Sequence, residues 1–151
     1  MKTTVTTSRE NLTLRKTEDF RAMRELALRS GLEESVLEDF DVAYGCYKGR
    51  RLVGCVGLRK KVGVFTIECL AVAEDLQGKG IGRTLIGLIE DEARKMGAKD
   101  LWAVARAPGF FERIGYTVAK PPPGQGPTLK GCASCRQFGR SCHPAIVFRA
   151  L

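Results

Sequence analysis

The sequence predicts an α/β fold, a mixed and twisted β-sheet with helices on both faces. Three observations carry this. Apolar runs from Val42 to Val72, joined by short glycine-bearing connections, describe an antiparallel meander. The run Leu70-Ala71-Val72 is followed by a loop with three glycines, Gln77-Gly78-Lys79-Gly80-Ile81-Gly82-Arg83, which opens at once into a helical pattern. A further apolar run, Leu101 to Ala105, comes after that helix, and a strand, helix, strand passage of this length implies a parallel pair.

Taken in order, Leu12 to Lys16 alternates Leu-Thr-Leu and reads as a first strand. Thr17 is the expected N-cap of a helix carrying Glu18 and Asp19 in its first turn. Phe20, Met23, Leu26 and Ala27 recur at helical spacing, and Gly31 is the stop. Glu33 to Phe40 reads as a second, shorter helix. Val42 to Tyr47 and Leu52 to Leu58 form a hairpin about Lys48-Gly49-Arg50-Arg51, and Val62-Gly63 marks the turn into the strand Val64 to Val72. From Ile81 an amphipathic helix runs to about Met96, with Ile81, Leu85, Leu88, Ile89 and Ala93 on one face and Gly97 at its end. Pro108 to Ile114 is a short helix closed by Gly115, and Tyr116 to Ala119 returns as a strand. The stretch Pro121-Pro122-Pro123-Gly124-Gln125-Gly126-Pro127 excludes helix or central strand and reads as an extended loop. Ala145 to Phe148 is the last strand expected.

The 151 residues are read as one domain, 1–151, with a core over about 12–120 and an irregular Pro/Gly/Cys-rich tail over 121–151. At 44% hydrophobic and 28% charged the composition is globular, and the apolar runs are too short to cross a bilayer as helices. Met1 to Glu10 is polar and Thr-rich, without the apolar core of a signal peptide, so a cytoplasmic location is expected. The net charge of +8 favours an anionic partner. Its basic residues are scattered; Arg59-Lys60-Lys61 is the one tight run and reads as a solvated turn. No basic stripe interleaved with stacking aromatics is present, which argues against nucleic acid and leaves a phosphate-rich small molecule.

The glycine loop gives that charge a target. Glycine tolerates positive φ and lets a ligand approach the backbone closely. The helix behind it adds unpaired N–H groups and the positive end of its dipole, so loop and helix together form an anion cradle suited to pyrophosphate. A P-loop would require Gly-Lys-Ser/Thr, whereas Gly82 is followed by Arg83 and Thr84. A dinucleotide fold would place the loop in the first βαβ unit rather than after a meander.

Gln77-x-x-Gly80-x-Gly82, preceded by Leu70-Ala71-Val72, resembles the acyl-CoA-binding signature of the GNAT N-acetyltransferases. Phe110-Phe111-Glu112-Arg113-Ile114-Gly115-Tyr116 resembles their downstream aromatic segment, at the expected separation. The resemblance covers roughly residues 12 to 120. It implies a sheet splayed where a thioester enters, with the first two helices over the acceptor entrance. It also implies acetyl transfer from acetyl-CoA to an amine within a ternary complex. Backbone amides from Gly78 to Thr84 would hold the pyrophosphate, with Lys79 or Arg83 adding charge. Leu70 and Val72 would pair with the pantetheine, a backbone N–H there would polarise the thioester carbonyl, and Phe111 would border the coenzyme. A homodimer is a family-level expectation.

Glu68 is the candidate general base, because a protonated amine cannot attack until something takes its proton. It shares strand parity with Thr66 and Leu70, which places all three on one face. The alternative is a carboxylate that pairs with a neighbouring arginine or binds the substrate ammonium. Many members carry a tyrosine general acid where this chain has Phe111, which has no proton to give. Tyr116 falls where the ring more often packs.

Cys46, Cys55 and Cys69 lie in strand patterns and read as small core residues. Cys132-x-x-Cys135, with Cys142 and His143, gathers three thiols and an imidazole in the tail. That set suits a structural zinc, although adjacent Cys142 and His143 must both turn to one ion; free thiols or a disulfide staple are the other readings. The aromatic segment together with the tail cysteines also resembles the small amino-acid N-acetyltransferases related to N-acetylglutamate synthase. That subfamily has a basic residue in the strand where this chain has Glu68, and acidic residues where it has His143-Pro144. The expected function is therefore N-acetylation of a small-molecule primary amine, an amino acid first. A protein or peptide N-acetyltransferase and a non-catalytic CoA-binding module are the alternatives.

Overall fold

The antiparallel meander is the centre of a larger sheet in the computed structural model, which describes residues 6–7, 11–31, 39–122, 124–127 and 144–151. Among these residues the strands are β1 (Thr6–Thr7), β2 (Leu12–Lys16), β3 (Val42–Lys48), β4 (Arg51–Lys61), β5 (Val64–Val72), β6 (Asp100–Ala105), β7 (Thr117–Val118) and β8 (Ala145–Ala150). They form one sheet in the order β1-β2-β3-β4-β5-β6-β8-β7. Only β5 and β6 run parallel; the other pairs are antiparallel. Helix α1 (Phe20–Arg29) precedes the meander, α2 (Ile81–Lys95) crosses from β5 to β6, and α3 (Pro108–Arg113) leads to β7. The two-residue β1 and a single 3₁₀ turn over Glu74–Leu76 carry no periodicity long enough to be read from sequence.

The β4–β5 turn shows why these residues fold as they do. Val62 and Gly63 both adopt positive φ, +50° and +77°, the backbone twist that lets two antiparallel strands meet without splaying. The run Arg59-Lys60-Lys61 lies inside β4 rather than in the turn: Arg59, against Phe40 and Glu68, is largely enclosed, while Lys60 on the other face and Lys61 at the strand end face solvent. Asp19, not Thr17, caps α1, its Oδ1 accepting from Ala22 N at 3.1 Å. Thr17 acts one step earlier, its Oγ1 accepting from Asp19 N at 3.1 Å. Residues 32–38 of the expected second helix lie outside the described residues, and Asp39 and Phe40 are not helical.

Neighbouring residues of β4 show that helices cover both faces. A Cβ added at Gly54 would meet Ile81 and Leu85 of α2, whereas the thiol of Cys55 sits beside the Met23 carbonyl of α1. Met23, Leu26 and Ala27 bury the α1 stripe; Ile81, Leu85, Ile86, Ile89 and Ala93 bury that of α2. Each such large apolar side chain contributes about 1.5–3 kcal/mol of transfer free energy. Two carboxylates of α2 are buried with their partners. Glu90 Oε2 accepts from Tyr116 Oη and Arg149 Nη1, both at 2.9 Å. Glu92 Oε1 accepts from Tyr44 Oη at 2.8 Å and pairs with Lys16 Nζ at 3.2 Å.

Candidate active site

Strands β5 and β6 pair at only two positions, Thr66 with Trp102 and Ile67 with Ala103. The ladder stops there, which leaves the β6-facing edge of residues 68–72 of β5 without a strand partner, a gap in the sheet. A bulge in β5 sits at the mouth of this gap. Gly57 of β4 faces Glu68 and Cys55 faces Ala71, which leaves one extra residue on β5. Cys69 takes it up with φ +57°, the left-handed region that a non-glycine residue rarely enters. The slip corrects the simple parity reading: Ala71, not Leu70, continues the face that carries Glu68.

The glycine loop closes one end of the gap. Gln77 Nε2 donates to Val72 O at 3.1 Å and folds the loop back onto β5. Gly78 (φ +80°) and Gly80 (φ +83°) need the left-handed conformation, and a Cβ on either would meet nothing within 4 Å. The loop backbone therefore faces open space directly ahead of α2, and Gly80 is that helix's N-cap. Gly82 has a different reason to be glycine: a Cβ there would lie 3.3 Å from the Phe110 ring, which rests on the first turn of α2. Lys79, Arg83 and Thr84 are exposed, and the Thr84 hydroxyl donates to Gly80 O at 3.0 Å. Ala71 and Ile81 bury their side chains, so what they offer a ligand is backbone. Phe111 is 6% exposed and packs edge-on against Phe110 and Tyr116. Tyr116 is a packing residue, as its position suggested. Burial and the Glu90 charge beside it raise its phenol well above the ordinary value.

On the α1 face Glu68 Oε2 lies 3.1 Å from Arg59 Nη2, with side chains 34% and 14% exposed. The pairing with a neighbouring arginine is thus realised. Arg59 in turn lies over the Phe40 ring at 5.3 Å, and Phe40 meets Phe20 edge-to-face at 5.5 Å. Phe40 can lie there because residue 57 is glycine; a Cβ would fall 2.5 Å from its Cδ1. A cleft of about 730 Å³ opens on the far side of this pair, lined by Phe20, Phe40 and Asp41 among others. At the end of β6, Arg106 Nη1 donates to Gly31 O and ties that strand to the end of α1. Sequence reasoning missed Arg59, Phe40 and the special role of Gly57. The one available signal was alternation, which puts Gly57 and Arg59 on a single face of β4. Cys132, Cys135, Cys142 and His143 lie outside the described residues. Among the described residues, no three His, Cys, Asp or Glu side chains gather as a metal site.

The sequence model of the acetyltransferase (GNAT) family matches residues 8–116. The chain belongs to that family. Its relatives include an uncharacterized N-acetyltransferase of Chlorobaculum tepidum, 36% identical over 87 residues, which are 55% of this chain and 54% of that protein. The chain thus matches about half the length of this curated relative. Among solved structures, a GNAT family acetyltransferase from Elizabethkingia anophelis with acetyl-CoA bound superposes with TM-score 0.71 at 17% identity, covering 95% of this chain and 100% of that one. N-acetylglutamate synthase from Neisseria gonorrhoeae, complexed with coenzyme A and N-acetyl-glutamate, gives TM-score 0.69 at 22% identity over 91% of this chain and 35% of that one. At these identities the structural likeness establishes the GNAT fold. No helix among the described residues is long and apolar enough to cross a membrane.

Proposed function

We propose that the chain transfers an acetyl group from acetyl-CoA to the primary amine of a small molecule, an amino acid first. The early end of the β5–β6 ladder carries this reading, because it leaves strand edge 68–72 beside the open glycine loop. The loop fits a pyrophosphate: its amides before α2 face solvent-accessible space, and Lys79 and Arg83 stand exposed nearby. The free edge at Leu70 to Val72 suits an amide-bearing pantetheine arm, which pairs with a strand as another strand would.

Glu68 faces the same gap and is the group that receives the amine's proton. Arg59 fixes the direction of its carboxylate, and the Phe40 and Phe20 rings wall the approach. As the amine nitrogen bonds to the acetyl carbon, the carbon–sulfur bond breaks and CoA leaves as a thiolate. Phe111 is enclosed and has no proton to offer, so solvent, the acceptor itself or another residue protonates that sulfur. The test is acetyl-CoA turnover, followed by thiol release, against amino acids, polyamines and peptides. Turnover on amino acids that collapses in Glu68→Gln supports the reading. Turnover on peptides alone moves the chain to protein-directed acetylation. Tight CoA binding with no turnover on any amine would sink the assignment.

A further inference from the structure

Cys55 and Cys69 play no part in that chemistry, yet they meet at the bulge that shapes the gap. Cys55 Sγ donates to Cys69 O at 3.3 Å. Both thiols also converge on one acceptor, the Met23 carbonyl of α1, at 3.9 Å from Cys55 and 3.7 Å from Cys69. The shared acceptor places both side chains on one face of the sheet, under α1, on adjacent strands. Their environments differ: Cys55 is fully buried, whereas Cys69 is half-buried beside Glu68. The contact with Cys69, together with burial, pushes the Cys55 thiol well up. Cys55 is therefore inert alone, and Cys69 is the thiol a small oxidant reaches first.

The geometry points to Cys55 and Cys69 as a dithiol oxidation site that takes hydroperoxides and, once closed to a disulfide, arrests acetyl transfer. In the first step the Cys69 sulfur attacks the peroxide O–O bond, giving Cys69 sulfenic acid and releasing an alcohol, or water from hydrogen peroxide. In the second, the Cys55 sulfur attacks the sulfenic sulfur; the S–O bond breaks, the S–S bond forms, and the Cys55 proton leaves with the hydroxyl as water. The two thiols together lose two electrons, and these reduce the peroxide. A disulfide requires sulfurs about 2.05 Å apart, closer than any non-bonded contact. Closing it must draw the Cys69 bulge toward β4. Glu68 and Leu70 flank Cys69 in the chain and move with it, and they border the proposed reaction site.

The probe is hydrogen peroxide on the full chain, followed by alkylation, digestion and mass spectrometry without reductant. A Cys55–Cys69 linked peptide, absent after dithiothreitol, is the expected product; Cys55→Ala should instead leave Cys69 as a sulfenic acid that dimedone traps. Because emptying a buried site can destabilise the fold, Cys55→Ser is run beside it. Alkylation of both thiols after peroxide, or a Cys69 sulfinic acid without the linked peptide, would overturn the proposal. The functional half rests on the acetyl-transfer reading, whereas the linked peptide is read without it. Oxidised wild type should lose about 100-fold in turnover, the scale on which an ångström of misplacement acts, and regain it on reduction. The linked peptide with undiminished turnover would overturn the functional half. No turnover in the reduced protein would instead overturn the acetyl-transfer reading and leave the dithiol decided by the peptide alone.

Discussion

Between α2 and the sheet, Glu90 and Glu92 are each 7% exposed and held by phenol hydroxyls and cations. On the opposite face Glu68 also has a cationic partner within 3.1 Å, yet its side chain remains 34% exposed. All three are paired carboxylates, so pairing alone does not separate the acids that hold the fold from the proposed base. What sets Glu68 apart, and what the proposed mechanism draws on, is the strand edge next to it. The ladder that seals β3 to β4 over their length stops between β5 and β6 after two pairs. A polar group next to an interrupted ladder can meet a ligand; one under a continuous helix and sheet holds the two together.

Substituting the acids themselves is the strongest way to break this comparison. Glu68→Gln should lower kcat by about 100-fold or more, the usual contribution of a positioned base, while its melting temperature stays close to wild type. Glu92→Gln should do the reverse, lowering stability by about 1–3 kcal/mol with kcat preserved; steady-state kinetics and urea melts on the same samples read both. Leu85→Ala, on the sealed side, removes a side chain that is 0% exposed. It should cost about 2–5 kcal/mol of unfolding free energy, with the surviving folded fraction fully active. Gly57→Ala forces the Phe40 ring away from the Glu68 side. Overpacking of this kind costs about 1–3 kcal/mol, and the KM of the acceptor should rise while that of acetyl-CoA holds.

The smallest effect is the response to acid. Burial pushes the Glu92 carboxyl up, but the Tyr44 hydroxyl and Lys16 ammonium outweigh it and hold it below the ordinary range. A carboxyl lowered in the folded state contributes stability in full above its unfolded value of ~4.3. It loses that contribution as pH falls through the folded value. Thermal melts between neutral pH and pH 3 should therefore decline less steeply in Glu92→Gln than in wild type.

Much of this frame is legible in the sequence because it is written locally. The hairpin at Val62-Gly63, the glycine loop and the α2 stripe each depend on residues a few positions apart, and each stands where its pattern put it. The Glu68 side of the sheet was less legible because it depends on register. Glu68 was singled out, but its partner Arg59 lies in a run of three cations that resembles a solvated turn, and what encloses it is contact with Glu68 and Phe40, residues far away in sequence. The bulge left no mark at all: a cysteine in left-handed conformation looks like any other strand residue, and one extra residue moved Leu70 off the Glu68 face. Asp19 rather than Thr17 caps α1 for a similar reason, since two cap-forming residues stand two positions apart and backbone geometry chooses between them.

The sheet order carries a consequence for how the chain assembles. Strand β8 follows β7 in sequence but inserts between β6 and β7, and it pairs with β6 from Asp100–Ala150 to Ala105–Ala145. During synthesis the meander can zip up from neighbouring residues as soon as it emerges, whereas β6 must wait with its outer edge bare until residues 145–150 arrive. Contacts so far apart in sequence form late because closing a long loop costs entropy before any pairing offsets it. The growing chain thus exposes a strand template to other nascent copies for the whole of that interval. Pulse-labelled hydrogen exchange during refolding should find β3 and β4 amides protected before those of β6, and simultaneous protection would remove this vulnerability from the account.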